Sequence, residues 1–180
     1  MQKAILFLFF SLFSGSVLSA TEAEFLAEHG LAGKSVEQII DAIDQNPQAR
    51  PLGYSASVTG TALKLSSGNQ SYTLPLGDKF YLSFAPYERQ THPCFNHSLS
   101  GCQGEMPNTL FNVKVTDKQG NVLVNREMKS YQNGFVGVWL PRNIEGVIEV
   151  SRGGKVAAFP IQTASDSQTC LTSLQLRAAG

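Results

Sequence analysis

Cys94, Cys102 and Cys170 are the chain's three cysteines, and His92 and His97 are two of its three histidines. Four of these five residues fall within His92-Pro-Cys-Phe-Asn-His-Ser-Leu-Ser-Gly-Cys-Gln-Gly-Glu105. Thiolates are soft donors and imidazole binds many transition metals, so such a cluster can hold a soft ion; two thiols can equally close a disulfide. Cys94 and Cys102 are not spaced as Cys-x-x-Cys, which argues against a thioredoxin-like redox pair and a zinc knuckle.

The residues leave two readings open. In a small exported domain the ordinary arrangement is a Cys94–Cys102 loop staple with Cys170 as a lone buried thiol and His92 and His97 on the loop surface. The other is a site of three converging thiolates, which suits Cu(I) better than Cu(II), with His92 and His97 completing the set. Zinc in a Cys3His arrangement is the less favoured metal. Composition alone leans to the staple. Met106 offers a thioether but is more simply a packing residue, and Glu105 could orient a ligating imidazole. Catalytic templates fail: no Gly-x-Ser-x-Gly occurs, and the glycines at 101 and 104 precede no helix that would make a phosphate cradle.

The scaffold that must position these groups is mostly strand. Residues 1–20 read as a secretory leader: Lys3, an apolar core of about ten residues where a membrane span needs roughly 20, and a small-residue region cleaved near Ala20, with Ser19 the alternative. A short helix is expected over 22–31, with His29 near its end. A second begins after Ser35, which with Gln38 makes a capping box, and presents Val36, Ile39, Ile40 and Ile43 on one face. That stripe must pack on the following strands or on a second copy of the chain. A meander over 54–58, 61–66 and 70–74 follows. Seven further strands are expected over 79–85, 110–116, 122–131, 134–140, 146–151, 155–161 and 171–176, punctuated by turns such as Asp117-Lys-Gln-Gly120 and Gln132-Asn-Gly134. The fold class is therefore mainly β: a small helical and β-meander N-terminal domain (21–77) and an antiparallel β-sandwich (78–180). With 14 basic and 14 acidic residues and no polybasic run, nucleic acid and anionic membrane surfaces are excluded as partners.

Four blocks of sequence bear on function: the stretch from His92 to Glu105, Phe111-Asn-Val-Lys-Val-Thr-Asp117, Asn133-Gly-Phe-Val-Gly-Val-Trp-Leu-Pro-Arg-Asn143 and Thr169-Cys-Leu-Thr-Ser-Leu-Gln-Leu176. Together they resemble the periplasmic copper-binding CueP family of enteric bacteria, across most of the mature chain. The resemblance implies a soluble periplasmic copper carrier that sequesters the ion under copper stress and can supply a periplasmic Cu/Zn superoxide dismutase. It implies that Cys94, Cys102 and Cys170 are the functional thiols with the loop histidines nearby, kept reduced by the disulfide-isomerase system and able to reduce Cu(II) stoichiometrically without being an enzyme. It further implies a homodimer formed through the N-terminal part, for which the Val36–Ile43 stripe is a natural contact. The alternatives are a stapled sandwich that binds no metal, and a thiol oxidoreductase, which the missing Cys-x-x-Cys disfavours.

Overall fold

The computed structural model describes residues 21–179, so the expected leader lies outside the described residues. Two capped helices begin it. In α1 (Glu22–Glu28) the Thr21 hydroxyl accepts from the Glu24 backbone N–H and Glu24 returns the bond. In α2 (Val36–Asp44) Ser35 and Gln38 form the expected capping box. Each box satisfies two amide donors that a helix start otherwise leaves open. His29, the C-cap of α1, stacks 4.1 Å from Tyr54, so the third histidine is used in packing.

The strands are β1 (Ser55–Val58), β2 (Ala62–Ser67), β3 (Gln70–Pro75), β4 (Lys79–Phe84), β5 (His97–Ser98), β6 (Leu110–Asp117), β7 (Val122–Lys129), β8 (Val136–Pro141), β9 (Glu145–Arg152), β10 (Lys155–Gln162), β11 (Cys170–Leu171) and β12 (Arg177–Ala178). They form three sheets in the orders β3-β2-β1-β5, β12-β10-β9-β6-β7 and β11-β4-β8. The protein is thus mainly β with a small helical N-terminal region, as expected.

Strand periodicity decides where the cores lie. On β4, Phe80, Leu82 and Phe84 point one way, into a core shared with Phe111, Val113 and Val115 of β6 and Ile148 and Val150 of β9. Tyr81 points the other way, into a second core with Phe25, Ile39, Ile40, Ile43 and Leu63. The middle sheet is therefore a wall common to both cores. Met106 packs against the larger one, in the packing role expected of it.

Two expectations need correction. The Ile39, Ile40 and Ile43 face is buried within this chain, against β1 and β2, so the stripe is not available as a dimer contact. The strand expected over 171–176 is shortened to β11, which pairs parallel to β4 through Cys170 opposite Ser83 and Leu171 opposite Phe84. The chain beyond it keeps only a parallel bridge from Gln175 to Tyr87 while still burying Leu174 and Leu176. That parallel pairing is the feature that carries Cys170 to the loop.

Candidate metal centre

Cys170 opens β11 with its backbone N–H donating to the Phe95 carbonyl at 3.0 Å, as Thr169 does at 2.9 Å. This clamp brings the Cα atoms of Cys94 and Cys170 to 5.6 Å, and the two are joined by a disulfide. The expected Cys94–Cys102 staple is not formed; Cys102 is the free thiol, 3.6 Å from the Cys94 sulfur. The reason is topological. The loop holds Cys102 by its own turn, with the Cys102 N–H on the Ser98 carbonyl at 2.9 Å, whereas Cys94 is drawn toward the end of the chain. All three sulfurs nevertheless meet, together with Ala85 and Phe135, in one small buried cluster.

His97 is fully buried and belongs to β5, not to the surface of a loop. Its backbone N–H donates to the Thr169 hydroxyl at 3.0 Å, and that hydroxyl donates to the Val58 carbonyl, tying β5 to β1 and the approach to β11. Its Nε2 lies 2.9 Å from Oδ1 of Asp44, the last residue of α2. The same oxygen accepts from Asn133 Nδ2 at 2.7 Å; the other accepts from the Tyr81 hydroxyl at 2.7 Å and the Ser83 hydroxyl at 3.4 Å. Asp44 therefore orients the imidazole, the part expected of Glu105. Glu105 instead accepts the backbone N–H groups of Glu88 and Arg89 at 2.6 and 3.1 Å, pinning the loop that leads to His92. Arg50 fixes the far end of α2: its guanidinium donates to the carbonyls of Ile43, Asp44 and Leu99, linking the helix end to the Cys102 loop.

The electrostatics follow from this burial. Burial raises the Asp44 carboxyl, but the charge of His97 and the hydrogen bonds from His97, Tyr81 and Asn133 outweigh it and hold the group below its ordinary value. Burial lowers His97, but the Asp44 charge, the Asp44 hydrogen bond and Cys102 raise it to about 9. A raised histidine stabilises the fold fully below its ordinary value of 6.5, and that contribution is lost as pH rises through about 9. A lowered aspartate contributes above its ordinary 3.8 and is lost as pH falls through its depressed value. The copper-free oxidised protein should therefore lose denaturant resistance between pH 6.5 and 9 relative to an Asp44→Ala variant; parallel profiles over that range would show that the pair is not ionised.

With Nε2 engaged by Asp44, Nδ1 of His97 is a buried polar atom without a hydrogen-bond partner. A ligand atom of His97 lies within 4.8 Å of the Cys102 and Cys170 sulfurs, and one of His92 lies within 4.8 Å of those of Cys94 and Cys102. Since Nε2 is taken, Nδ1 is the His97 nitrogen left to meet an ion, once it gives up the proton that Asp44 helps the ring to hold. An unpartnered buried imidazole nitrogen facing two sulfurs fits a soft metal: it is costly left alone and satisfied by coordination. Two thiols would have to be released from the disulfide first.

The fold and donor set define a small mainly β protein whose thiols and imidazoles can hold a soft metal ion. Residues 38–175 match the family of the periplasmic copper-binding protein CueP, and the chain belongs to that family. A solved structure, the crystal structure of S.CueP, is 71% identical, with a TM-score of 0.87 over 89% of this chain and 99% of that one. No curated protein matches the chain. Membership carries a periplasmic setting and copper as the ion, and no helix among the described residues is long and apolar enough to cross a membrane.

Proposed function

We propose that the protein sequesters copper as Cu(I), using thiolates of Cys94, Cys102 and Cys170 with His97 and His92 as nitrogen donors. The observation that carries this reading is the buried His97 imidazole, whose Nδ1 has no partner and one of whose nitrogens lies within 4.8 Å of the sulfurs of Cys102 and Cys170. Soft sulfur donors select Cu(I) over Cu(II) and over harder ions, and place zinc second. The Cys94–Cys170 disulfide is the resting oxidised form, and a dithiol reductant, for which a periplasmic disulfide isomerase system is the natural source, supplies two electrons and two protons to open it. In the opposite direction, two thiolates can deliver one electron each to two Cu(II) ions, giving two Cu(I) and one disulfide. That reduction is stoichiometric, so the protein is a carrier and not an enzyme. Delivery to a periplasmic Cu/Zn superoxide dismutase, a part in copper resistance and a homodimer complete the proposal and rest on the family, while export with a cleaved leader rests on the pattern of residues 1–20.

The test is competition for Cu(I) between the fully reduced mature protein and a chromophoric chelator. One Cu(I) per protomer is expected, because the three sulfurs meet in one small cluster. Cys102→Ser removes a ligand and should lower the affinity by more than about 100-fold, the upper range for losing a group that merely supports a ligand. Wild-type affinity in Cys102→Ser, or no uptake by the wild type, would overturn the reading and favour a stapled module without metal.

A further inference from the structure

The three sulfurs meet, Cys94 bonded to Cys170 and 3.6 Å from Cys102, but the two histidines flank them in different donor groups. His92 groups with Cys94 and Cys102, and His97 groups with Cys102 and Cys170; each histidine has its own distal cysteine, and only Cys102 belongs to both trios. The trios differ in surroundings. His92 and Cys94 are half-buried, and His92 lines a cavity of 290 Å³ together with Thr91, Gln103 and Glu105. His97 and Cys170 are fully buried. Phe135 stands against both imidazoles, with its ring centroid 4.6 Å from that of His97 and 6.2 Å from that of His92.

We propose that the trios are two stations on a transfer path: an outer station of His92, Cys94 and Cys102 where copper enters and leaves, and an inner station of His97, Cys102 and Cys170 where it is held. Cys102 is the pivot ligand common to both. This rests on the copper reading above. A pivot matters because a thiolate that stays bound while one distal cysteine and histidine are exchanged for the other spares the ion a fully dissociated intermediate. Cu(I) tolerates such changes of partner, having a filled d shell and no demand for one geometry. The inner histidine is locked by Asp44 at 2.9 Å and the inner cysteine by the Phe95 carbonyl at 3.0 Å, so the inner donors are preorganised for retention. His92 of the outer station lines the cavity, where an incoming thiol or chelator can reach the ion.

The stations make opposite demands on affinity and rate. Cu(I) uptake and release are followed by stopped-flow mixing of the reduced mature protein with bicinchoninate, and affinity by equilibrium competition with the same chelator. Cys170→Ser and His97→Ala remove inner donors and should weaken affinity at least about tenfold more than Cys94→Ser and His92→Ala do. The outer variants should instead slow both loading and release by about tenfold, scaled to the effect of losing one supporting group at a metal site. His92→Ala is the decisive variant for rate, since a half-buried loop side chain can be truncated without unfolding the protein. Equal affinity losses for Cys94→Ser and Cys170→Ser, or wild-type exchange rates in His92→Ala, would overturn the two stations and leave a single three-thiolate centre. Absence of Cu(I) uptake by the wild type would overturn the copper reading itself.

Discussion

Replacing Asp44 by alanine is expected to cost about 3–5 kcal/mol of folding stability, the range for breaking a buried charged pair by removing one partner. Asp44 is completely buried and its two oxygens serve four groups: His97, Asn133, Tyr81 and Ser83. The truncation strands an imidazole held protonated by that carboxylate and leaves the Tyr81 hydroxyl and the Asn133 amide short of an acceptor in a site closed to water. Urea unfolding of the oxidised protein at pH 6 measures the loss. Asp44→Asn keeps an acceptor and the side-chain shape, so it should fall between the wild type and Asp44→Ala. A loss below about 1 kcal/mol in Asp44→Ala would mean that the pair contributes no more than an exposed one.

Gly134→Ala should be almost as damaging, at about 3 kcal/mol, from overpacking together with a left-handed backbone. Gly134 has φ +81°, and a Cβ there would stand 2.5 Å from the Gly104 carbonyl oxygen and 2.8 Å from its Cα. Neither contact is to a side chain that could swing aside. The close crossing lets the Gly104 N–H reach the Asn133 carbonyl at 2.6 Å, fastening the Cys102 loop to the turn that carries Asn133 and Phe135. Denaturation of Gly134→Ala under the same conditions tests this; a midpoint equal to the wild type's would show that the crossing can open at no cost.

The elements whose causes are local could be read from the sequence. Ser35 and Gln38 announce α2, alternation announces β4 and β6, and Asp117-Lys-Gln-Gly120 and Gln132-Asn-Gly134 mark the turns. The cysteines and histidines that the structure brings together were also legible by type and spacing. What was hidden depended on tertiary placement: β11 owes its position to a parallel partner about ninety residues earlier in the chain, and two-residue strands such as β5 have no periodicity to detect. Asp44 carried a signal that composition overlooks. It continues the row Val36, Ile40, Asp44 on the apolar face of α2, and it sits at a helix C-terminus, where the backbone dipole disfavours a negative charge. An acidic residue placed against both preferences implies a buried partner. Its partner, His97, lies in a segment that reads as loop.

The distances along the chain between the sulfurs bear on how the protein is oxidised. Cys94 and Cys102 are 8 residues apart, whereas Cys94 and Cys170 are 76 apart. In an unfolded chain the closure entropy, scaling as (3/2)RT ln n, favours the shorter ring by about 2 kcal/mol. During synthesis Cys94 and Cys102 also emerge well before Cys170. The first bridge that statistics and order of arrival favour is thus the one the folded protein does not contain. Folding inverts that preference through the Phe95 clamp and the parallel seat of β11, so oxidation after folding and oxidation before it lead to different covalent isomers. With the free Cys102 thiol 3.6 Å from the Cys94 sulfur, thiol–disulfide exchange can convert one isomer into the other, so which sulfur is left free is decided by the fold and not by the order of oxidation.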